Sequence, residues 1–216
     1  MKLVKPSFEV KRIDPEILEI IEDFGRTSYK SEDKITPGSS KKFVKMIIKR
    51  NHGSVLEAYD ITVKFYANRG FSHELVRHRI ASYNQESTRY CNYSKDKFDN
   101  QVKFCDPDYF ELDYLQNNLG LSEIKAFQVV KIWITTIGLL EERYFELLHL
   151  GVPVQLARDI LPIGLKTEIN IKTNIREWRE ILTQRTASDA HPIMQELMGK
   201  LLKYFKENIP VLFDDI

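Results

Sequence analysis

At 216 residues, 43% of them hydrophobic, the chain is long enough to bury one substantial core, and its length favours a single domain over residues 1–216. Its 32 Lys and Arg against 31 Asp and Glu give a formal net charge of +1, which excludes the global positive field of a general nucleic-acid binder, so any anion site must be local. The opening MKLVKPSFEVKRID has no apolar core of a signal peptide, and the longest apolar run, IWITTIGLL, is far short of the ~20 residues that span a bilayer. A soluble cytoplasmic protein with no membrane or nucleic-acid partner is expected.

Ser7 to Arg12 alternates as a short strand, and Asp14 and Pro15 then supply an N-cap and a first-turn proline for the helix EILEIIEDF. Ser39 or Ser40 can cap a second helix whose Phe43, Val44, Ile47 and Ile48 share one face, and Asn51-His52-Gly53 ends it. Residues 30–39 are the most loop-like stretch. Tyr59, Ile61, Val63, Phe65 and Ala67 alternate with polar residues as a half-buried strand does. Ser72 can cap a short helix, HELVRHRI, and another strand candidate lies near Gln101 to Cys105.

Ser122 opens a long helix on which Trp133, Ile137, Leu140, Tyr144 and Leu147 recur at spacings of four and three. It closes at Leu150-Gly151-Val152-Pro153, and is read as the spine. A brief helix over Pro153 to Leu161 and an alternating strand over Leu165 to Thr173 follow. Asn174, with Glu177 three residues on, forms a capping box for the helix REWREILTQR. A last helix after Pro192 points Met194, Leu197, Leu201, Tyr204 and Phe205 inward. Strands separated by helices indicate an α+β class: a central, mostly antiparallel twisted sheet flanked by helices, with a long spine helix and a helical lobe. No repeat, linker or Gly-rich phosphate loop is present.

The stretch RHRIASYNQESTRY, residues 77–90, crowds Arg77, His78, Arg79 and Arg89 among Ser82, Asn84, Gln85, Ser87 and Thr88. Two guanidinium groups about 6 Å apart repel by roughly 3 kcal/mol at an effective dielectric of about 20, so an anion is expected there. On one helix, Arg77 and Arg79 diverge by about 200°. Arg79 then falls in the sector of Leu75, Val76 and Ile80, the expected buried side, where an arginine needs an anion or several acceptors. Arg185 repeats the anomaly: Trp178, Ile181, Leu182 and Arg185 stand at i, i+3, i+4 and i+7, so a cation occupies an apolar position. Its stem either covers core and reaches solvent, or aims the cation into a site.

Arg77-His78-Arg79, followed after seven residues by Ser87 and Arg89, with Ser82 and Asn84 between, resembles the signature of the flavin-dependent thymidylate synthases. The resemblance continues through His52 to Glu57, the GVP and ARDILP runs around Arg158, and NIREWR from Asn174 leading to Arg185. It covers roughly residues 40–200. It implies a homotetramer with active sites between subunits, each taking FAD, dUMP and methylenetetrahydrofolate. By position, it implies FAD contacts from Ser54, Arg77, His78, Arg79, Gln85 and Asn174. The implied dUMP set is Glu74, Arg77, Gln85, Glu86, Ser87, Thr88, Arg89, Arg158 and Arg185, with His52 near flavin and folate.

The implied reaction is reductive methylation of dUMP to dTMP, with methylenetetrahydrofolate giving the carbon, reduced FAD the hydride, and NADPH re-reducing the flavin. Arg185 would be the catalytic group, stabilising negative charge on uracil as N3 loses its proton, with no covalent cysteine adduct. Ser87 has no accompanying base and orienting acid. Cys91 and Cys105 read as two reduced thiols. His73 and His78 are five apart, not a metal pair, and no metal is expected. Glu180 stands where relatives often carry His or Asn, and Gln85-Glu86 replaces the Glu-Leu of one branch.

Two other readings compete. An RNA-binding module built on an arginine-rich helix would use Tyr83, Tyr90 and Tyr93 for stacking; Glu74 and Glu86 inside the patch count against it. A structural oligomer could use Arg77 and Arg79 in intersubunit ion pairs, but this leaves the polar spacing of residues 82–89 without a purpose.

Overall fold

The computed structural model describes all of residues 1–216. In chain order its strands are β1 (Lys2–Val4), β2 (Ser7–Arg12), β3 (Asp60–Asn68), β4 (Ser82–Gln85), β5 (Lys103–Cys105) and β6 (Lys166–Asn174). The α-helices are α1 (Ile17–Thr27), α2 (Ser39–Lys49), α3 (Arg69–Leu75), α4 (Leu112–Asn117), α5 (Glu123–His149), α6 (Val154–Ala157), α7 (Ile175–Arg185), α8 (Pro192–Asn208) and α9 (Pro210–Phe213). The fold is α+β: a four-stranded antiparallel sheet in the order β2-β3-β6-β4, flanked by helices. A separate parallel pair sets Lys2 to Val4 of β1 against Lys103 to Cys105 of β5. No helix is long and apolar enough to cross a membrane.

The chain divides into two compact units. The first comprises Met1–Ser7, Phe65–Arg77 and Asn84–Ile169; the second comprises Phe8–Lys64, His78–Tyr83 and Asn170–Ile216.

In the first unit, Val102, Phe104, Ile137, Tyr144, Ala157 and Leu165 form a buried cluster, and Phe65 packs on Phe71 with ring centroids 4.9 Å apart. The buried face of α5 differs from expectation. It runs through Ile137, Glu141 and Tyr144, while Trp133, Leu140 and Leu147 are only half-buried. Glu141 is tolerated there because its carboxylate accepts the Val102 N–H at 2.8 Å, satisfying both groups. Ile124, Phe127, Ile132 and Leu139 of α5 remain exposed.

In the second unit, alternation along β3 buries Ile61 and Val63, and the apolar stripes of α1, α2, α7 and α8 bury Ile21, Val44, Ile47, Trp178, Leu182, Leu201 and Phe205. A Cβ on Gly25 of α1 would lie 2.7 Å from both the Phe43 ring and Val55, so only glycine allows this approach. The Trp178 indole N–H donates to the Ile61 carbonyl at 3.0 Å, tying α7 to β3.

Several expected caps move. α1 begins at Ile17, two residues beyond Pro15, and the Asp14 carboxylate accepts the Glu16 N–H just ahead of it. α2 begins at Ser39 after Gly38 with φ +80°, and its serine hydroxyls instead donate to α1, Ser39 to Glu22 and Ser40 to Glu19. Ser72 caps nothing: Asn68 accepts the Phe71 N–H at 2.8 Å, so α3 starts at Arg69 and stops at Leu75. The helical placement of Arg77 and Arg79 therefore falls, and Arg79 is exposed rather than buried. Tyr204 and Ile48 are half-buried.

Because Trp178 fills the second core and also holds a buried carbonyl, Trp178→Ala is expected to cost about 3–5 kcal/mol, read as a lower midpoint in urea unfolding followed by circular dichroism.

Candidate active site

The arginine-rich stretch is neither a helix nor a plain loop. Past Leu75 the chain turns, crosses residues 76–81 without regular structure, and becomes β4. Three contacts in the second unit hold the middle of this crossing. The Tyr83 hydroxyl donates to the His78 carbonyl at 2.6 Å, the Thr173 hydroxyl donates to the Ile80 carbonyl at 2.5 Å, and the Arg185 Nε–H donates to His78 Nε2 at 2.9 Å. His78 is thereby buried while its neighbours Arg77 and Arg79 are exposed, and neither arginine enters an ion pair.

Accepting from a guanidinium requires a neutral imidazole with its proton on Nδ1. Burial pulls the His78 pKa below 6.5, the Arg185 charge lowers it further, and Glu180 opposes them weakly. Glu177 lies 3.7 Å from His78 Nδ1, and its own carboxyl is pushed up by burial and by Glu180. Burial and Glu177 push the Tyr83 phenol up to about 12, keeping it a donor. The stem of Arg185 leaves the apolar face of α7 half-buried, and the imidazole fixes its Nε–H.

Asn174 caps α7 by accepting the Glu177 N–H at 2.9 Å, as its spacing predicts. It also lines a cavity of about 560 Å³ with Asn51, Gly53, Ile80, Glu177 and Glu180. His52 is exposed, its Nδ1 within 2.6 Å of the Tyr29 hydroxyl, and Ser54 is exposed nearby in sequence.

The first unit holds the remaining candidates. Glu74 is half-buried near the end of α3, and Arg77 follows it. After β4 the chain makes a tight turn in which the Tyr90 and Cys91 N–H groups both donate to the Ser87 carbonyl at 3.0 Å. Thr88 is buried, and its hydroxyl accepts from Arg158 at 3.0 Å. Arg158 reaches this turn because Gly151, at φ +88°, ends α5 and Pro153 then starts α6. Gln85 donates to Ser72 at 2.9 Å and to Thr167 at 3.0 Å. Glu86 turns away from the arginines, pairing with Lys166 at 3.3 Å and accepting from the Tyr93 hydroxyl at 3.3 Å. A cavity of about 280 Å³ lies there, lined also by Cys91, Lys97, Lys103 and Glu168. Arg89 is exposed, 5.6 Å from the Tyr90 ring.

Glu74, Arg77, Gln85, Glu86, Ser87, Thr88, Arg89 and Arg158 thus sit in the first unit, and His52, Ser54, His78, Arg79, Asn174 and Arg185 in the second. Sequence reasoning missed Ser72, Tyr83, Lys166, Thr167 and Glu177 as supports. Thr167 and Lys166 read only as strand residues, and Glu177 only as a cap. No group of three or more His, Cys, Asp or Glu is arranged to hold a metal ion.

Residues 10–211 match the family described as thymidylate synthase complementing protein. The chain belongs to the flavin-dependent thymidylate synthase family. It is 30% identical over 201 residues to the flavin-dependent thymidylate synthase of Corynebacterium aurimucosum, covering 91% of this chain and 78% of that one. Its likeness to the protein of that name from Kosmotoga olearia is 29% over 224 residues, covering 95% and 92%. For the one from Pyrococcus furiosus it is 30% over 185 residues, covering 85% and 70%. Members of this family are enzymes, and the arginine motif lies inside the matched region.

The depressed His78 value sets a pH dependence. Its neutral form is favoured by folding, so its contribution is complete above the unfolded value of 6.5 and is lost as pH falls through the lower folded value. Long-range ¹H–¹⁵N spectra should show an Nδ1-protonated ring at pH 7, titrating with a midpoint below 6.5.

Proposed function

We propose that this chain makes dTMP from dUMP by reductive methylation, with methylenetetrahydrofolate as carbon donor, reduced FAD as hydride donor and NADPH as the reductant of the flavin. The observation that carries the reading is the Arg185–His78 contact at 2.9 Å, which fixes a permanent cation at the end of α7.

FAD, when bound, supplies the hydride. The residues fit such a group: Arg77 and Arg79 are exposed cations without an internal counter-ion, suited to a pyrophosphate, and Asn174 lines a roomy cavity. Ser54, His78 and Gln85 complete the proposed FAD set, and His52 is assigned to the flavin and folate side. For dUMP, the turn Ser87-Thr88-Arg89 offers hydroxyls and a guanidinium to the phosphate, with Arg158 braced behind it through Thr88. Glu74, Arg77, Gln85 and Glu86 are assigned to the same substrate, Glu86 with its carboxylate already held by Lys166.

Arg185 stabilises the negative charge that develops on uracil as N3 loses its proton. It cannot take that proton, since a guanidinium has only donors to offer. A mechanism without a cysteine adduct is supported by Cys91, whose thiol is pushed up by burial and by neighbouring Glu86, against thiolate formation. Cys105 is buried. The four apolar side chains left exposed along α5 support an assembly of several copies, proposed as a homotetramer with its active sites between subunits.

The purified protein, supplied with FAD, should show a bound-flavin absorption band that bleaches on anaerobic NADPH with dUMP present, and should then form dTMP. Failure to bind flavin overturns the reading. Arg185→Ala should lower kcat by about 10²-fold or more with the fold intact. Cys91→Ser should keep turnover near wild type; abolished chemistry in a folded Cys91→Ser protein would sink the mechanism without a cysteine adduct.

A further inference from the structure

Gln85 projects from β4 in the first unit, and its side-chain amide meets two buried hydroxyls. Its Nε2 donates to Ser72 Oγ on α3 and to Thr167 Oγ1 on β6, and each of those residues is 1% exposed. Both N–H bonds of the amide are consumed. The Ser72 hydrogen is itself committed, donating to the Arg69 carbonyl at 3.0 Å. Ser72 Oγ can therefore only accept, and the group facing it must be a donor. The amide has one permitted orientation, with Nε2 toward the two hydroxyls and Oε1 left as its unused acceptor.

We infer that Ser72 and Thr167 are positioning residues that lock the Gln85 amide, so that it presents an acceptor to the substrate. This rests on the reading that Gln85 meets dUMP. A carbonyl oxygen accepts from a sugar hydroxyl or a ring N–H and repels a phosphate oxygen, so Gln85 selects for a donor on the nucleotide and takes no part in holding its phosphate.

The lock also dictates why an amide rather than a carboxylate stands at position 85. In Gln85→Glu, Thr167 can rotate its hydroxyl to donate, but Ser72 cannot without abandoning Arg69. An oxygen would then face an oxygen in a buried place. Removing Ser72 Oγ should relieve that conflict, which a mere loss of packing would not do.

The test is a cycle of Gln85→Glu, Ser72→Ala and their combination, read by thermal midpoint and by dUMP affinity from calorimetry. Gln85→Glu alone should lower the midpoint and weaken dUMP by about tenfold, the scale of one unsatisfied buried polar group. Adding Ser72→Ala should restore most of both. A combined variant as impaired as Gln85→Glu, or worse, overturns the lock. If the wild type binds no dUMP yet the midpoint is rescued, the functional reading fails and the lock stands. Should Gln85→Glu not fold, the wild-type amide decides: its two Nε2 protons exchange slowly with solvent if the hydroxyls hold them, and rapidly if not. Two dUMP analogues separate the donors, one lacking the 3′-hydroxyl and one methylated at ring N3. The analogue lacking the contacted donor binds more weakly than dUMP to the wild type and equally to Gln85→Leu. If Gln85→Leu discriminates both analogues as the wild type does, the acceptor role is gone.

Discussion

The hydrogen bond from Arg185 to His78 is the constraint on which the second unit's chemistry turns. A guanidinium has only donors to offer, so its partner must be an acceptor, and a histidine is one only while neutral. The protein secures that state by burial, and then uses the arginine's own charge to reinforce it. The arginine's charge thus favours the same neutral imidazole that accepts its N–H. Tyr83 and Thr173 serve the same end from the backbone side, gripping the carbonyls of His78 and Ile80 so that an irregular segment presents one defined ring.

The first unit solves a different problem. The exposed cation Arg89 and the acidic Glu86 lie three residues apart, and the Glu86 carboxylate is held by Lys166 and Tyr93. Lys166 also bonds Glu168, so one ammonium serves two carboxylates on the same side of β6. The hydroxyl of Thr88 is braced by Arg158 from 70 residues away in sequence. Charge balance here is local, as a chain with almost no net charge requires.

Much of this was legible in the sequence because it is periodic. The alternation from Ile61 to Ala67, the N-cap at Asn174 and the long helix from Ser122 are local patterns, and each appears where its residues place it, although of the expected capping box only the Asn174 half forms. The motif itself was legible as chemistry but not as shape. Residues 76–80 carry helix-compatible side chains, yet tertiary contacts to Thr173, Tyr83 and Arg185 outcompete a helix there. Serine caps misled for a related reason. Ser39 and Ser40 turn their hydroxyls to α1, and Ser72 lies inside α3 and bonds the Arg69 carbonyl of its own first turn instead of a free N–H. Glu141 was unreadable because its partner, the Val102 N–H, is 39 residues distant.

The order in which segments enter the two units has a consequence for the chain's birth. The second unit joins Phe8–Lys64 to Asn170–Ile216, and the tie between the Ile61 carbonyl and the Trp178 indole spans 117 residues. At about 5–20 residues per second, a ribosome takes roughly 6 to 23 s to supply the second partner after the first. Through that interval α1 and α2 can pack on each other, as Gly25 does on Phe43, but the core that Trp178 completes stays open. The first unit can close earlier, once Ile169 has emerged, so the segment made first completes its core last. Full burial of Ile21, Val44, Ile47, Ile61 and Val63 therefore waits on segments made more than 100 residues later.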